Sequence, residues 1–140
     1  MRKYPFNKLI RSKLPDRMVA EGVVVNSQKL EIEEYVVQLK QKIIEEAIEV
    51  SEAKSREELV TELADVLEVI YALAESTAIS QSEIEQARIE KREINGYFKP
   101  ENYVHYIQVA HDNYKVIEYL ENKNRSYKFT RDIDPEASSG

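Results

Sequence analysis

The fold of this chain is decided by two stretches of sequence, Glu45-Glu46-Ala47-Ile48-Glu49 and Glu62-Leu63-Ala64-Asp65. Each stretch holds acids three residues apart within a segment of helical periodicity. Residues three apart on an α-helix lie on the same side, about one turn apart. Two such helices packed antiparallel would bring four carboxylates to one point, which requires a cation. Hard oxygen ligands favour Mg²⁺, with Mn²⁺ as an alternative.

The two helices are predicted over about residues 31–53 and residues 56–76. Glu46 falls within the apolar stripe of the first helix, where an apolar residue is expected. That stripe consists of Ile32, Tyr35, Val36, Leu39, Ile43 and Val50. The predicted core stripe of the second helix, flanked by Glu62 and Asp65, consists of Leu59, Leu63, Val66, Leu67, Ile70 and Ala74.

These acids have two possible interpretations. In a chain that is 33% charged, acidic helix faces exposed to solvent are common. A carboxylate directed at a core, however, costs several kcal/mol unless it is paired or bound to metal. Lys42 is the one cation near Glu46 on that side of the first helix, and one lysine cannot neutralise four acids. The interrupted stripe therefore favours a metal site.

Composition limits the class of protein. At 140 residues with 42% hydrophobic residues, the chain is expected to form one globular domain. The absence of cysteine excludes disulfides and thiolate metal sites. There is no apolar run of about 20 residues that could span a membrane, and no signal peptide is recognisable, so a cytoplasmic location is expected. The net charge of −6 argues against nucleic acid as a partner.

The charge is unevenly distributed along the chain. Residues 1–30 hold seven Lys/Arg and two acids, a balance of +5, whereas residues 31–68 hold four Lys/Arg and twelve acids, a balance of −8. A basic N-terminal arm thus precedes an acidic helical body. The arm either docks on this body by simple electrostatics or supplies cations to an anionic ligand held by the metal.

The remaining segments are predicted as follows. Residues 8–19 form a short helix interrupted at Pro15 and stopped at Gly22. Ser80 with Glu83 opens a third helix that ends near Asn95. The catalytic core covers residues 31–98 and a C-terminal extension covers residues 99–131, with a strand or extended segment at 103–110 and a helix at 112–122. Residues 132–140 form a flexible tail.

The first helix has a second apolar side, formed by Val37, Ile44 and Ile48. A helix that is apolar on two faces must be covered on both. Either the C-terminal segment or a second subunit does this. We expect a homo-oligomer, a dimer or a tetramer, built on a two-fold dimer.

The two acidic stretches resemble the motif of the MazG-like all-α nucleotide pyrophosphohydrolases, E-E-x-x-E followed after a spacer by E-x-x-D. The spacer here, residues 50–61, has 12 residues. The stretch Asn7-Lys8-Leu9-Ile10-Arg11-Ser12-Lys13-Leu14-Pro15 is similar to the K-L-V-R-D-K-I-P element of the small stand-alone members. Residues 91–98 are similar to the K-x-x-x-R-G-G-F end of their last helix. Ser12 and the run Asn95-Gly96-Tyr97 depart from these patterns, so activity or substrate choice is expected to have shifted.

The resemblance implies an all-α antiparallel helical bundle, here with a mixed N-terminal arm and an extra C-terminal segment. It also implies Mg²⁺-dependent hydrolysis of a nucleoside triphosphate, as in nucleotide-pool house-cleaning, to the monophosphate and pyrophosphate. The metal ligands it implies are Glu46, Glu49, Glu62 and Asp65. Glu49 or Glu45 would act on the attacking water, and the phosphate-binding residues would be Lys8, Arg11, Lys13, Arg88 and Lys91.

Three alternatives remain open. A phosphoribosyl-ATP hydrolase, or a hydrolase specific for dUTP or dCTP, would use the same four acids. A di-iron bundle needs Glu-x-x-His pairs, whereas His105 and His111 lie outside the helical pair. A non-catalytic helical interaction protein derived from the family is consistent with the altered Ser12 and Asn95-Gly96-Tyr97 positions, although the intact four acids count against it.

Overall fold

The computed structural model describes residues 1–122, which form five α-helices and no strand. The helices are α1 (Leu14–Ala20), α2 (Ile32–Glu52), α3 (Arg56–Ser76), α4 (Gln81–Asn95) and α5 (Tyr114–Glu121). The all-α class predicted from the sequence is confirmed. The boundaries predicted for α2, α3 and α4 agree with the structure to within one residue.

The prediction for the N-terminal helix was wrong in its start. Pro15 is the second residue of α1 and lies in its first turn, where the missing N–H of proline costs nothing because that position has no intrahelical partner. Gly22 ends the helix as predicted, with a φ of 85°. The N–H of Val23 donates to the Met18 carbonyl at 3.0 Å across this left-handed turn.

Side-chain caps set where α3 and α4 begin. The Ser55 hydroxyl accepts from the Glu58 N–H at 3.1 Å, and the Glu58 carboxylate accepts from the Lys54 N–H at 2.9 Å. At the start of α4 the Ser80 hydroxyl accepts from the Glu83 N–H at 3.1 Å, and the Glu83 carboxylate accepts from the Ser80 N–H at 2.7 Å. These bonds to Ser80 lower the pKa of Glu83. Each cap satisfies N–H groups that the first helical turn leaves free.

Helices α2 and α3 form an antiparallel hairpin, because only three residues, 53–55, connect them. Leu39 of α2 and Ala74 of α3 are buried. The predicted core stripe of α3 was wrong for its leucines, since Leu59, Leu63 and Leu67 are exposed. Helix α3 instead turns the side that carries its two acids toward α2, so Glu62 and Asp65 do not flank a leucine core.

The chain divides into two compact units, residues 1–86 and residues 87–140. Of the second unit the structure describes residues 87–122. Tyr119 of α5 is buried there, and Val116, Ile117 and Leu120 are half-buried. The segment 103–110 has no regular secondary structure, so no strand forms. The end of the predicted extension and the predicted tail, residues 123–140, lie outside the described residues, and the single-domain organisation stays a prediction. None of the helices within residues 1–122 combines the length and the apolarity needed to cross a bilayer.

Loss of the Ser55 cap is expected to destabilise the fold. Ser55→Ala should lower the free energy of unfolding by about 1 kcal/mol, because the Glu58 N–H loses its acceptor. The control is Ser51→Ala, since the Ser51 hydroxyl bonds the Ile48 carbonyl within α2 and caps nothing. Urea unfolding followed by circular dichroism measures the free energy of unfolding of both variants. Equal effects of the two substitutions would contradict the cap.

Candidate metal centre

Four carboxylates meet on the α2–α3 hairpin. Glu46 and Glu49 lie one turn apart on α2, and Glu62 and Asp65 lie one turn apart on α3. Each residue offers one oxygen, and these four oxygens lie within 4.8 Å of one another. Because the acids of each pair are three residues apart, each helix presents its two acids within a single turn. The structure therefore brings together all four residues that the sequence predicted to meet.

Burial makes this cluster costly without a cation. Glu46 is only 9% exposed. Within residues 1–122, the Glu46 Oε2 and Glu62 Oε2 atoms are buried and have no hydrogen-bond partner. A buried carboxylate oxygen without a donor has lost its hydration and gains no hydrogen bond that compensates for the loss.

The pKa of Glu46 reflects this environment. Burial raises the pKa of Glu46, and the neighbouring Glu49 carboxylate raises it further. The charge of Asp65 acts in the same direction more weakly, and among residues 1–122 Lys42 opposes these effects. The site therefore disfavours a fourth negative charge unless a cation is added.

The donor set fits a divalent cation such as Mg²⁺ or Mn²⁺. All four donors are carboxylate oxygens, the ligands that such hard cations prefer. Opposite oxygens around Mg²⁺ are about 4 Å apart, so the observed spread of up to 4.8 Å requires only small side-chain movements. The two orphaned buried oxygens are those that a cation would satisfy.

Two basic side chains border the cluster: Arg11 of the N-terminal arm contacts Asp65 of α3, and Lys42 of α2 contacts acids of its own helix. The Arg11 Nη2 donates to Asp65 Oδ1 at 2.6 Å. The Lys42 Nζ lies 3.1 Å from Glu45 Oε2 and 3.6 Å from Glu46 Oε1. Glu45 thus pairs with Lys42 and stands outside the four-oxygen cluster.

Sequence reasoning missed part of this border. Lys42 was recognised as a nearby cation but received no role, although its i, i+4 spacing to Glu46 indicates the contact. The pairing of Arg11 with Asp65 spans 54 positions, and no local pattern predicts it.

The other predicted phosphate ligands lie on the N-terminal arm and on α4. Lys8 lies over the ring of Phe6, 5.2 Å from its centroid, and Lys13 precedes α1 on the surface. Arg88 and Lys91 are exposed residues of α4 that belong to the second unit. Their assignment to phosphate binding, like the assignment of Glu45 as a base, stays a prediction.

Comparison with known protein families gives a match. The sequence model of a family described as phosphoribosyl-ATP pyrophosphohydrolase matches residues 18–92, which is more than half of the chain. The match spans α2 and α3 with all four acids, and it begins within the N-terminal arm, after Arg11. No curated protein and no solved structure matches the chain.

Removing the buried acid should separate metal binding from folding. Glu46→Gln is expected to raise the thermal midpoint of the metal-free protein, because it removes a desolvated charge beside Glu49. Added Mg²⁺ should raise the midpoint of the wild type much more than that of the variant, since a ligand that binds only the folded state stabilises it.

The control is Glu52→Gln, which removes the same charge from an exposed position at the end of α2. This variant should keep the full Mg²⁺-induced rise. An equal rise in Glu46→Gln and the wild type would contradict the metal centre.

Proposed function

The chain belongs to the phosphoribosyl-ATP pyrophosphohydrolase family, a branch of the MazG-like all-α superfamily, and from that premise we propose that it hydrolyses a nucleoside triphosphate to the monophosphate and pyrophosphate. The family membership bears out the resemblance drawn from the acidic motif. The reaction breaks the anhydride between the α- and β-phosphates. Water adds to phosphorus, and pyrophosphate leaves.

The four-carboxylate cluster is the observation that carries this proposal. Phosphoryl transfer depends mainly on positioning and on neutralising phosphate charge. A bound Mg²⁺ supplies that neutralisation and orients the phosphate oxygens. The cluster, with its two unpartnered buried oxygens, has the composition to hold such an ion, and its metal ligands are Glu46, Glu49, Glu62 and Asp65.

The individual residues take different roles in this proposal. Glu49 is the one exposed member of the four, so water and substrate reach it most easily, and it orients the attacking water or accepts its proton. Glu45 is the weaker candidate for a base because Lys42 holds its carboxylate. Phosphate contacts come from basic side chains, assigned to Lys8, Arg11, Lys13, Arg88 and Lys91.

Two substrates have specific support. The acidic motif of the small stand-alone relatives supports an ordinary or modified nucleoside triphosphate, whereas the description of the matched family names phosphoribosyl-ATP. Both molecules carry a triphosphate whose α–β anhydride would be cleaved, so the shared reaction is proposed here and the base and sugar are left to the assay. Hydrolysis of dUTP or dCTP is a variant of this chemistry. The alternative of a non-catalytic helical protein predicts no turnover at all.

Pyrophosphate release is the test of the reaction. With Mg²⁺, we expect monophosphate and pyrophosphate from at least one member of a panel of ribo- and deoxyribonucleoside triphosphates and phosphoribosyl-ATP. Asp65→Asn and Glu46→Gln should lower turnover at least 100-fold, since each removes a metal-ligand charge. Glu52→Gln should match the wild type. Turnover that survives either ligand substitution would contradict the site, and release of single phosphates would contradict the reaction.

We also propose that the functional particle is a cytoplasmic homo-oligomer with a two-fold dimer as its unit. Within residues 1–86, Leu59, Leu63, Leu67 and Tyr71 form an exposed stripe on α3, because they recur at i, i+4, i+8 and i+12. The predicted second apolar side of α2, Val37, Ile44 and Ile48, is exposed as well. Contiguous apolar patches of this kind mark association surfaces.

A charge in the leucine stripe is expected to dissociate the oligomer. Leu63, 48% exposed in one chain, would become buried between copies, and full burial of a leucine is worth about 2 kcal/mol. Leu63→Glu should therefore shift the mass measured by light scattering toward one chain. Thr61→Glu adds the same charge to another exposed face of α3 and should leave the mass unchanged. A wild type that runs as a single chain would refute the oligomer.

A further inference from the structure

The contact between Arg11 and Asp65 has no evident value for stability. The two side chains are 59% and 31% exposed, and ion pairs at that exposure contribute about 0–1 kcal/mol. Its location is more informative than its strength. Asp65 is one of the four residues whose oxygens converge, so the arm contacts the hairpin at a member of the candidate metal centre.

The backbone around Arg11 is fixed on both sides. Leu9 and Ile10, which precede it, are half-buried, and Leu9 borders a small recess with Leu30 and Tyr35. On the other side, the carbonyl of Arg11 accepts from the Leu14 N–H at 3.0 Å and closes the turn that starts α1. The arginine side chain therefore extends from an anchored position rather than from a loose arm.

The geometry of the contact suits an orienting role. Arg11 engages one oxygen of Asp65, Oδ1, and a carboxylate has the acceptor sites to receive this bond and bind a cation at the same time. Carboxylates that bind metals are usually held by a hydrogen bond from an outer group, which fixes their rotamer and orientation. A guanidinium is suited to this task because its donors are planar and its charge is permanent.

We propose that Arg11 is a positioning residue that acts through Asp65, holding this carboxylate in the orientation in which it binds the metal. Docking of the arm and metal binding then reinforce each other. The proposal rests on the proposed function only in taking Asp65 as a metal ligand. The segment that matches the family model begins at residue 18, so the family match assigns Arg11 no role.

The direction in which metal affinity changes when Arg11 is removed distinguishes this role from simple electrostatics. Arg11 is a positive charge beside a cation site, and its removal should by charge repulsion alone tighten metal binding. Orientation predicts the opposite, because a freed Asp65 side chain must be ordered again when the metal binds. Loss of an outer partner of a metal ligand typically weakens binding 10–100-fold.

Mn²⁺ titration calorimetry on the full chain, without nucleotide, is the test. Arg11→Gln is expected to weaken Mn²⁺ binding about tenfold, and Arg11→Lys, which keeps a charged donor, should recover part of that loss. The matched control is Arg17→Gln, which removes the same charge from an exposed position of α1 and should leave the affinity unchanged. Unchanged or tighter binding by Arg11→Gln would overturn the proposal, as would an equal loss in Arg17→Gln.

Two further measurements distinguish a failure of the positioning role from an unfolded variant and from a failure of the proposed reaction. Thermal melts of the metal-free variants show whether the fold is intact, and Arg11→Lys carries the comparison if Arg11→Gln is unfolded. Pyrophosphate release by the wild type tests the proposed function independently. Mn²⁺ binding that depends on Arg11 without any nucleotide turnover would refute the proposed reaction alone. Normal turnover with Mn²⁺ binding that is independent of Arg11 would refute the positioning role alone.

Discussion

The burial of negative charge between α2 and α3 is the constraint on which the rest of the structure depends. Glu46 occupies a position in the stripe where an apolar side chain would pack, and its Oε2 has no donor among the described residues. Glu49 and Asp65 add to the repulsion. Such an arrangement lowers the stability of the hairpin. This destabilising arrangement has a physical reason if the four oxygens serve to bind a cation and not to stabilise the fold.

This constraint also determines which side of α3 faces outward. With Glu62 and Asp65 turned toward α2, the leucine stripe of α3 cannot occupy the same interface, and Leu63 and Leu67 lie at the surface. The helix thus has one side for the cluster and another that is apolar and exposed. The orientation of α3 about its own axis therefore places its acids at the candidate metal centre and its leucines at the proposed association surface.

The sequence predicted the local features well because they depend on nearby residues. Helix boundaries follow from caps, and Ser55 with Glu58 forms the bonds that the pattern predicts. The meeting of the four acids follows from equal spacing on two helices joined by a short link. The face of α3 was predicted wrongly because that helix carries two candidate sides, and only the position of its partner decides between them.

Contacts between distant segments were beyond such reasoning. The pairing of Arg11 with Asp65 depends on the path of the arm, and neither residue carries a local signal for it. The family match could not supply it either, because it begins at residue 18.

The two kinds of positive charge at this site cannot substitute for each other. The guanidinium of Arg11 is largely exposed, and an exposed ion pair contributes about 0–1 kcal/mol. The unpartnered oxygens of Glu46 and Glu62 are buried, where an arginine on the rim does not solvate them. Lys42 reaches Glu46 only through Oε1, at 3.6 Å, and shares its charge with Glu45. A compact divalent ion within the cluster would act on the buried oxygens, whereas Arg11 of the arm acts on Asp65 Oδ1. The basic arm therefore complements a metal at this site and does not replace it.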